Sequence, residues 1–200
     1  MKILLHVCCG PCATVALDRL IDEGDITVFY YNPNIYPQSE WQKRKENVEK
    51  LIALFSKDCG KKIEFVCPDY ESEKFYNLVN QNSAFSTMRE GGARCTACFR
   101  QRLDRTAQWA KEQGFDAFCT SLTVSPHKNS KLINQIGNEC GVVNGVTFLE
   151  RDFKKQNGFY NSILLSKKYE LYRQNYCGCE FSLREKEEYD KLKNDVNIDK

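Results

Sequence analysis

Residues 2–14, KILLHVCCGPCAT, run from a short apolar stretch into a Gly-Pro pair, with Cys8, Cys9 and Cys12 placed inside five positions. Lys2 to Val7 reads as a buried strand. Pro11 suits the first turn of a helix, which continues through Val15, Leu17, Leu20 and Ile21. A strand passing directly into a helix is the opening of a βα unit, and the unit recurs down the chain. ITVFYYNPN (26–34) reads as a second strand ended by Asn-Pro. SEWQKRKENVEKLIALFSK (39–57) reads as an amphipathic helix with Ser39 as its N-cap. KKIEFVCPDY (61–70) reads as a third strand, followed by a helix over Glu73 to Val79.

Beyond a Gly91-Gly92 loop comes a long helix that begins with CTAC (95–98) and closes at Gly114, then a strand ending in FCTSL (118–122). VSPHKNSKLINQIGNECG (124–141) reads as a loop and helix, and VTFLERDF (146–153) as a last short strand. This βα alternation predicts an α/β fold with a parallel, doubly wound sheet and a site at the carboxyl ends of its strands. The expected boundaries are a sheet domain over 1–160, with the CCGPC and CTAC loops, and a helical extension over 161–200. The extension carries a Cys-bearing turn, CGC (177–179), before a charged helix that frays into a polar end.

With 200 residues, one sizeable core is expected rather than two. Charge is nearly balanced, 29 Lys+Arg against 27 Asp+Glu, so a nucleic-acid partner has to be met by a local patch rather than a global field. No run of about 18 apolar residues occurs, and the first strand is too short for a signal peptide, so a soluble cytoplasmic protein without membrane contact is expected.

Eleven cysteines are many for a reducing compartment, where clustered thiols point to metal or redox chemistry rather than to disulfides. Seven of them fall in three Gly-containing loops beside regular elements: Cys8, Cys9 and Cys12; Cys95 and Cys98; Cys177 and Cys179. Unpaired amides at a helix N-terminus stabilise thiolates. A single CxxC pair is as well explained by structural zinc, and a pair of zinc ions or a thioredoxin-like dithiol also stands open. Seven thiols exceed one tetrahedral site, and iron–sulfur ligation by four, with three left for another metal or redox step, fits the count best. Cys59, Cys67, Cys119 and Cys140 are isolated among apolar residues and read as small buried hydrophobes, and His6 as a packed strand residue.

The stretches HVCCGPCAT (6–14), YYNPNIYPQSEW (30–41), EGGARCTACFRQRL (90–103), FCTSLTVSPHKN (118–129) and YRQNYCGCEFS (172–182) together resemble the QueH type of epoxyqueuosine reductase. That family completes the tRNA base queuosine without cobalamin. The resemblance implies a HUP-like domain, a [4Fe–4S] cluster and a nearby second metal ion, iron being the expectation. It also implies that the seven clustered cysteines are the ligands. The implied substrate is tRNA carrying epoxyqueuosine in its anticodon loop. One departure is Tyr70-Glu71, where a Tyr-Asp pair is expected.

Adjacent Cys8 and Cys9 are expected to point apart, and Cys95 and Cys98, one helical turn apart, to share a group. The resulting division assigns Cys9, Cys95, Cys98 and Cys177 to the cluster and Cys8, Cys12 and Cys179 to the second metal. His127 and Tyr176 are candidate proton donors. Lys128 and Lys154 are candidate tRNA contacts, and Tyr30 and Tyr31 either stack a base or pack. No Gly-rich nucleotide fingerprint appears, so electrons are expected from an external donor such as a ferredoxin or flavodoxin. The competing classes are a zinc-stabilised RNA-binding module, a thiol redox protein without a tRNA substrate, and a nucleotide-dependent thiolation enzyme. The last lacks its phosphate loop after the first strand.

Overall fold

Strand β1 (Lys2–His6) lies at the centre of a five-stranded sheet in which every neighbouring pair is parallel. In this computed structural model, residues 1–198 are described, with side-chain surroundings through residue 194. The other strands are β2 (Asp25–Phe29), β3 (Glu64–Val66), β4 (Ala117–Thr120) and β5 (Thr147–Phe148). Their order is β3-β2-β1-β4-β5. The chain moves outward from β1 in one direction, then returns to build the other side, so the sheet reverses its direction of growth between β1 and β4. Crevices at the carboxyl ends of strands open at such a reversal.

The sheet is covered on both faces, which is why Ile3, Leu4 and Leu5 of β1 are apolar in succession instead of alternating with polar residues. Ile3, Leu5 and Val7 join one core with Val15, Leu17 and Leu20 of α1 (Gly10–Leu20) and with Val48 and Leu51 of α2 (Gln38–Cys59). Leu4 faces the opposite core, with Phe99 and Leu103 of α4 (Ala93–Glu112) and Ile133 and Ile136 of α5 (Ser130–Asn144). Helix α3 (Ser72–Asn80) follows β3; α6 (Gly158–Lys168) packs beside α1; α7 (Glu180–Ile198) ends the described chain. The polar end expected to fray beyond it lies outside the described residues. Among the described residues no helix is long and apolar enough to cross a membrane.

The α/β, parallel, doubly wound architecture is as expected, and several local readings change. Ser39 is not the N-cap of α2. Pro37 takes that place, with its carbonyl accepting from Glu40 N at 2.9 Å and Trp41 N at 3.1 Å, and Ser39 lies within the first turn. Cys119 and Cys140 are buried as expected, whereas Cys59 and Cys67 stay partly exposed, one at the end of α2 and one just past β3. Helix α6 runs across residue 160, and Phe153, Tyr169 and Leu171 around it belong to the α1 core.

Candidate functional site

The β1–α1 turn brings three thiols to the reversal point of the sheet. Cys9 caps α1 in extended conformation, φ −167° and ψ 157°, and the chain turns into the helix at Gly10. This turn leaves the Cys8 and Cys9 sulfurs 4.0 Å apart, so the expected divergence of these neighbours does not occur. A Cβ on Gly10 would stand 2.6 Å from Asn47 Nδ2, which explains the small residue there. Contacts with Cys12 and Cys9, helped by the charges of Lys128 and Arg102, hold the Cys8 pKa well below the ordinary thiol value against the effect of burial. The Cys12 thiol is correspondingly pushed up by its contact with Cys8.

The second group begins α4. Cys95 Sγ accepts the Gly91 N–H at 3.3 Å, and Cys98, one turn on, is buried. Cys179 packs into the same apolar cluster as Cys98, with Phe75 and Phe181, and its charge acts on both Cys95 and Cys98. The expected division groups Cys179 with Cys8 and Cys12; in the structure it packs with Cys98, where Phe181 at the start of α7 docks. Cys177, two residues earlier, faces Lys128 and the cleft.

The CGC turn is held from α2. Arg44, 1% exposed, donates to Cys177 O at 2.9 Å and Tyr176 O at 3.2 Å while pairing with Glu40 Oε1 at 2.7 Å. Asn47 exchanges two 2.9 Å hydrogen bonds with the Tyr172 backbone. Gly178 has φ +142°, and a Cβ there would lie 3.0 Å from Arg44 Nη1 and 3.2 Å from Ile35 Cγ1. Glycine is therefore required between the two cysteines.

Two further cations lie among the thiols. Arg102 is buried, with Nε donating to Cys98 O at 3.2 Å. Burial would lower its pKa, but the charges of Cys98, Cys8, Cys177 and Cys95 raise it. Lys128 behaves in the same way, its desolvation outweighed by Cys177, Cys8 and Cys12. His6 is packed, as expected. Its Nε2 lies 3.1 Å from Tyr31 O, which can only accept, so Nδ1 takes the Thr120 hydroxyl proton at 2.9 Å. Burial, then the charge of Arg102, lowers its pKa to about 4, leaving it neutral.

Cys8, Cys12 and Cys177 open into a cleft of about 380 Å³, with His127, Lys128 and Tyr176 also in its lining. The Tyr176 hydroxyl donates to Tyr36 O, and burial followed by the Glu40 charge raises its pKa to about 12. Two expected substrate contacts lie elsewhere. Tyr30 is fully buried and donates to Trp41 O at 2.9 Å, so it packs, because both faces of this parallel sheet are covered. Lys154 donates to Lys128 O at 2.6 Å and fastens the loop instead of lining the cleft. Sequence reasoning did not identify Arg44, Asn47 or the cleft residues Glu90 and Phe159, whereas Arg173, one of the basic residues it offers for tRNA, does line the cleft. For Arg44 a signal exists: it interrupts the apolar stripe Trp41, Val48, Leu51, Phe55 of α2.

All eleven cysteines are free thiols. Among the described residues no three His, Cys, Asp or Glu side chains are gathered tightly enough to hold one metal ion. A multi-iron cluster is reached by thiolates set further apart than those around a single ion. Soft thiol donors with buried counter-cations suit such a group.

Comparison with known proteins bears on the same residues. A family model described as Epoxyqueuosine reductase QueH matches residues 3–185, a span that includes all three thiol turns and the cleft. The chain is 41% identical over 183 residues to an epoxyqueuosine reductase QueH of Streptococcus pyogenes serotype M1, covering 92% of this chain and 71% of that protein. Identity to the protein of that name from Staphylococcus aureus strain Mu50 is 40% over 181 residues, covering 90% and 75%. For the one from Thermotoga maritima it is 37% over 186 residues, covering 93% and 92% of the two chains. A match of this length, running through every element that carries a clustered thiol, assigns the chain to the epoxyqueuosine reductase QueH family.

Proposed function

We propose that this chain reduces epoxyqueuosine in the anticodon loop of tRNA to queuosine, using a [4Fe–4S] cluster and a second metal ion, iron. The observation that carries the reading is the cleft at the sheet's reversal point, lined by Cys8, Cys12, Cys177 and Lys128, with buried Arg102 under the influence of Cys98, Cys8, Cys177 and Cys95. When bound, the cluster supplies single electrons and the second metal a Lewis acid for the carbon–oxygen bond. The cluster would draw its four thiolates, and the second metal its donors, from these seven cysteines: Cys8, Cys9, Cys12, Cys95, Cys98, Cys177 and Cys179. The buried cations offset the negative charge that thiolate ligation concentrates there.

Conversion of an epoxide to an alkene consumes two electrons and two protons and releases the oxygen as water. His127 and Tyr176 line the cleft and are the proton donors in this reading, and Lys128 orients the departing oxygen. Electrons come from an external donor such as a ferredoxin or flavodoxin. Protein purified anaerobically is expected to be brown, to contain iron and sulfide, and to remove one oxygen atom from epoxyqueuosine-tRNA by mass analysis. Colourless protein that holds only zinc and leaves that tRNA unchanged would overturn the reading in favour of an RNA-binding module.

A further inference from the structure

We propose that Phe159 and Arg173 form a nucleotide subsite on one wall of the cleft, Phe159 stacking on the extruded wobble base and Arg173 meeting an adjoining phosphate. This rests on the tRNA-reductase reading above. Phe159 is 37% exposed and lines the same cleft as Cys8, Cys12 and Cys177. A single exposed aromatic is unremarkable on a protein surface. The backbone that presents this one is not.

Gln156 and Asn157 both take positive φ, 52° and 58°, an uncommon conformation for residues other than glycine. Strain of this kind persists only where surrounding contacts enforce it, and it concentrates at binding sites. Those contacts are present. Arg19, from the last turn of α1, donates to Lys155 O at 2.7 Å and Gln156 O at 3.4 Å. Gly158 lies so close to Phe153 that a Cβ would stand 1.7 Å from its carbonyl oxygen. Ser162 Oγ donates to Phe159 O at 2.6 Å. The helix whose first turn carries Cys12 thus fixes, through its other end, where Phe159 stands.

Arg173 is exposed, lines the cleft, and donates to Ser166 Oγ at 3.3 Å rather than to a carboxylate, so its charge is directed toward solvent ligands. Lys128 adds a second cation to the lining. In the substrate, the reacting ring is a substituent on an arm of the base. With that ring at the thiols, the base lies further out along the cleft. A space of about 380 Å³ takes one nucleoside rather than a stacked helix, so the base enters unstacked. An aromatic platform beside a cation is the usual means of holding single-stranded nucleotides.

The test uses the full chain purified anaerobically and a fluorescently labelled anticodon stem-loop without the modification, with binding read by anisotropy. Phe159→Ala is expected to weaken binding about 5- to 150-fold, the range for losing one base–aromatic stack. Phe159→Trp is expected to bind like the parent, whereas Phe159→Leu, apolar but without a π face, should weaken binding like the alanine variant. Arg173→Gln should lower the slope of log affinity against log salt by about 0.7, the value for one single-strand phosphate contact. With epoxyqueuosine-tRNA, Phe159→Ala should raise KM by the same factor and leave kcat nearly unchanged. Val142→Ala, at a site 83% exposed and outside the cleft lining, serves as the control. Parent-like binding and KM in Phe159→Ala would overturn the subsite while leaving the reductase reading intact. Failure of the parent protein to reduce epoxyqueuosine-tRNA would overturn that reading and the subsite with it.

Discussion

The two ends of the chain deliver thiols to one place by different physical means. At the amino end, Cys8, Cys9 and Cys12 are set by regular structure alone: a central strand stops, a helix starts, and the sulfurs fall at its first turn. At the carboxyl end, Cys179 leads into α7, but Cys177 sits in an irregular turn gripped from outside by Arg44, while Asn47 holds the Tyr172 backbone just before it. The first arrangement depends on backbone that the rest of the sheet already stabilises. The second depends on a few side chains, so its failure should be local in cause and large in effect.

The strongest way to break this contrast is Arg44→Leu. It removes both donors to the Cys177 and Tyr176 carbonyls and leaves Glu40 held by the Tyr172 hydroxyl without its cation, and breaking a buried ion pair on one side costs about 3–5 kcal/mol. Denaturant unfolding of the metal-free protein is the check, and a loss below about 1 kcal/mol would show that the turn holds without its clamp. Gly178→Ala comes next, since it forces a side chain into φ +142° against Arg44 and Ile35. A cost of about 1–3 kcal/mol is expected, read by denaturant unfolding. The smallest effect sharpens the other side of the comparison. Ser39→Ala should change stability by less than about 0.5 kcal/mol. A true N-cap would cost about 1 kcal/mol, so a loss of that size would restore Ser39 as the cap of α2.

The contrast also explains what the sequence made legible. The unbroken apolar run of β1, Pro11 in the following turn and the repeated βα pattern gave the architecture because each is a short-range consequence of backbone geometry. Which thiols face one another was not readable in the same way. Cys179 joins Cys98 because Phe181 enters the apolar cluster with Phe75, a contact between residues more than a hundred positions apart. The proximity of Cys8 and Cys9 follows from the extended backbone at Cys9, where strand alternation no longer applies. Tyr30 looked available for stacking from its place at the end of a strand, but its hydroxyl is spent on Trp41 and its ring on the core. Arg44 was visible as a charge on an apolar stripe. Phe159 carried no comparable signal, since an aromatic near the start of an amphipathic helix reads equally as core.

The separation of the thiol turns along the chain has a consequence for biosynthesis. Vectorial synthesis produces Cys8–Cys12 first and Cys177–Cys179 near the end, while the clamp residues Arg44 and Asn47 wait on α2 for their carbonyl and amide partners. The contact between these two turns can form only after residue 179 has left the ribosome. Until then the amino-terminal thiols stand without their cover, so the later segment completes the surroundings of the earlier one.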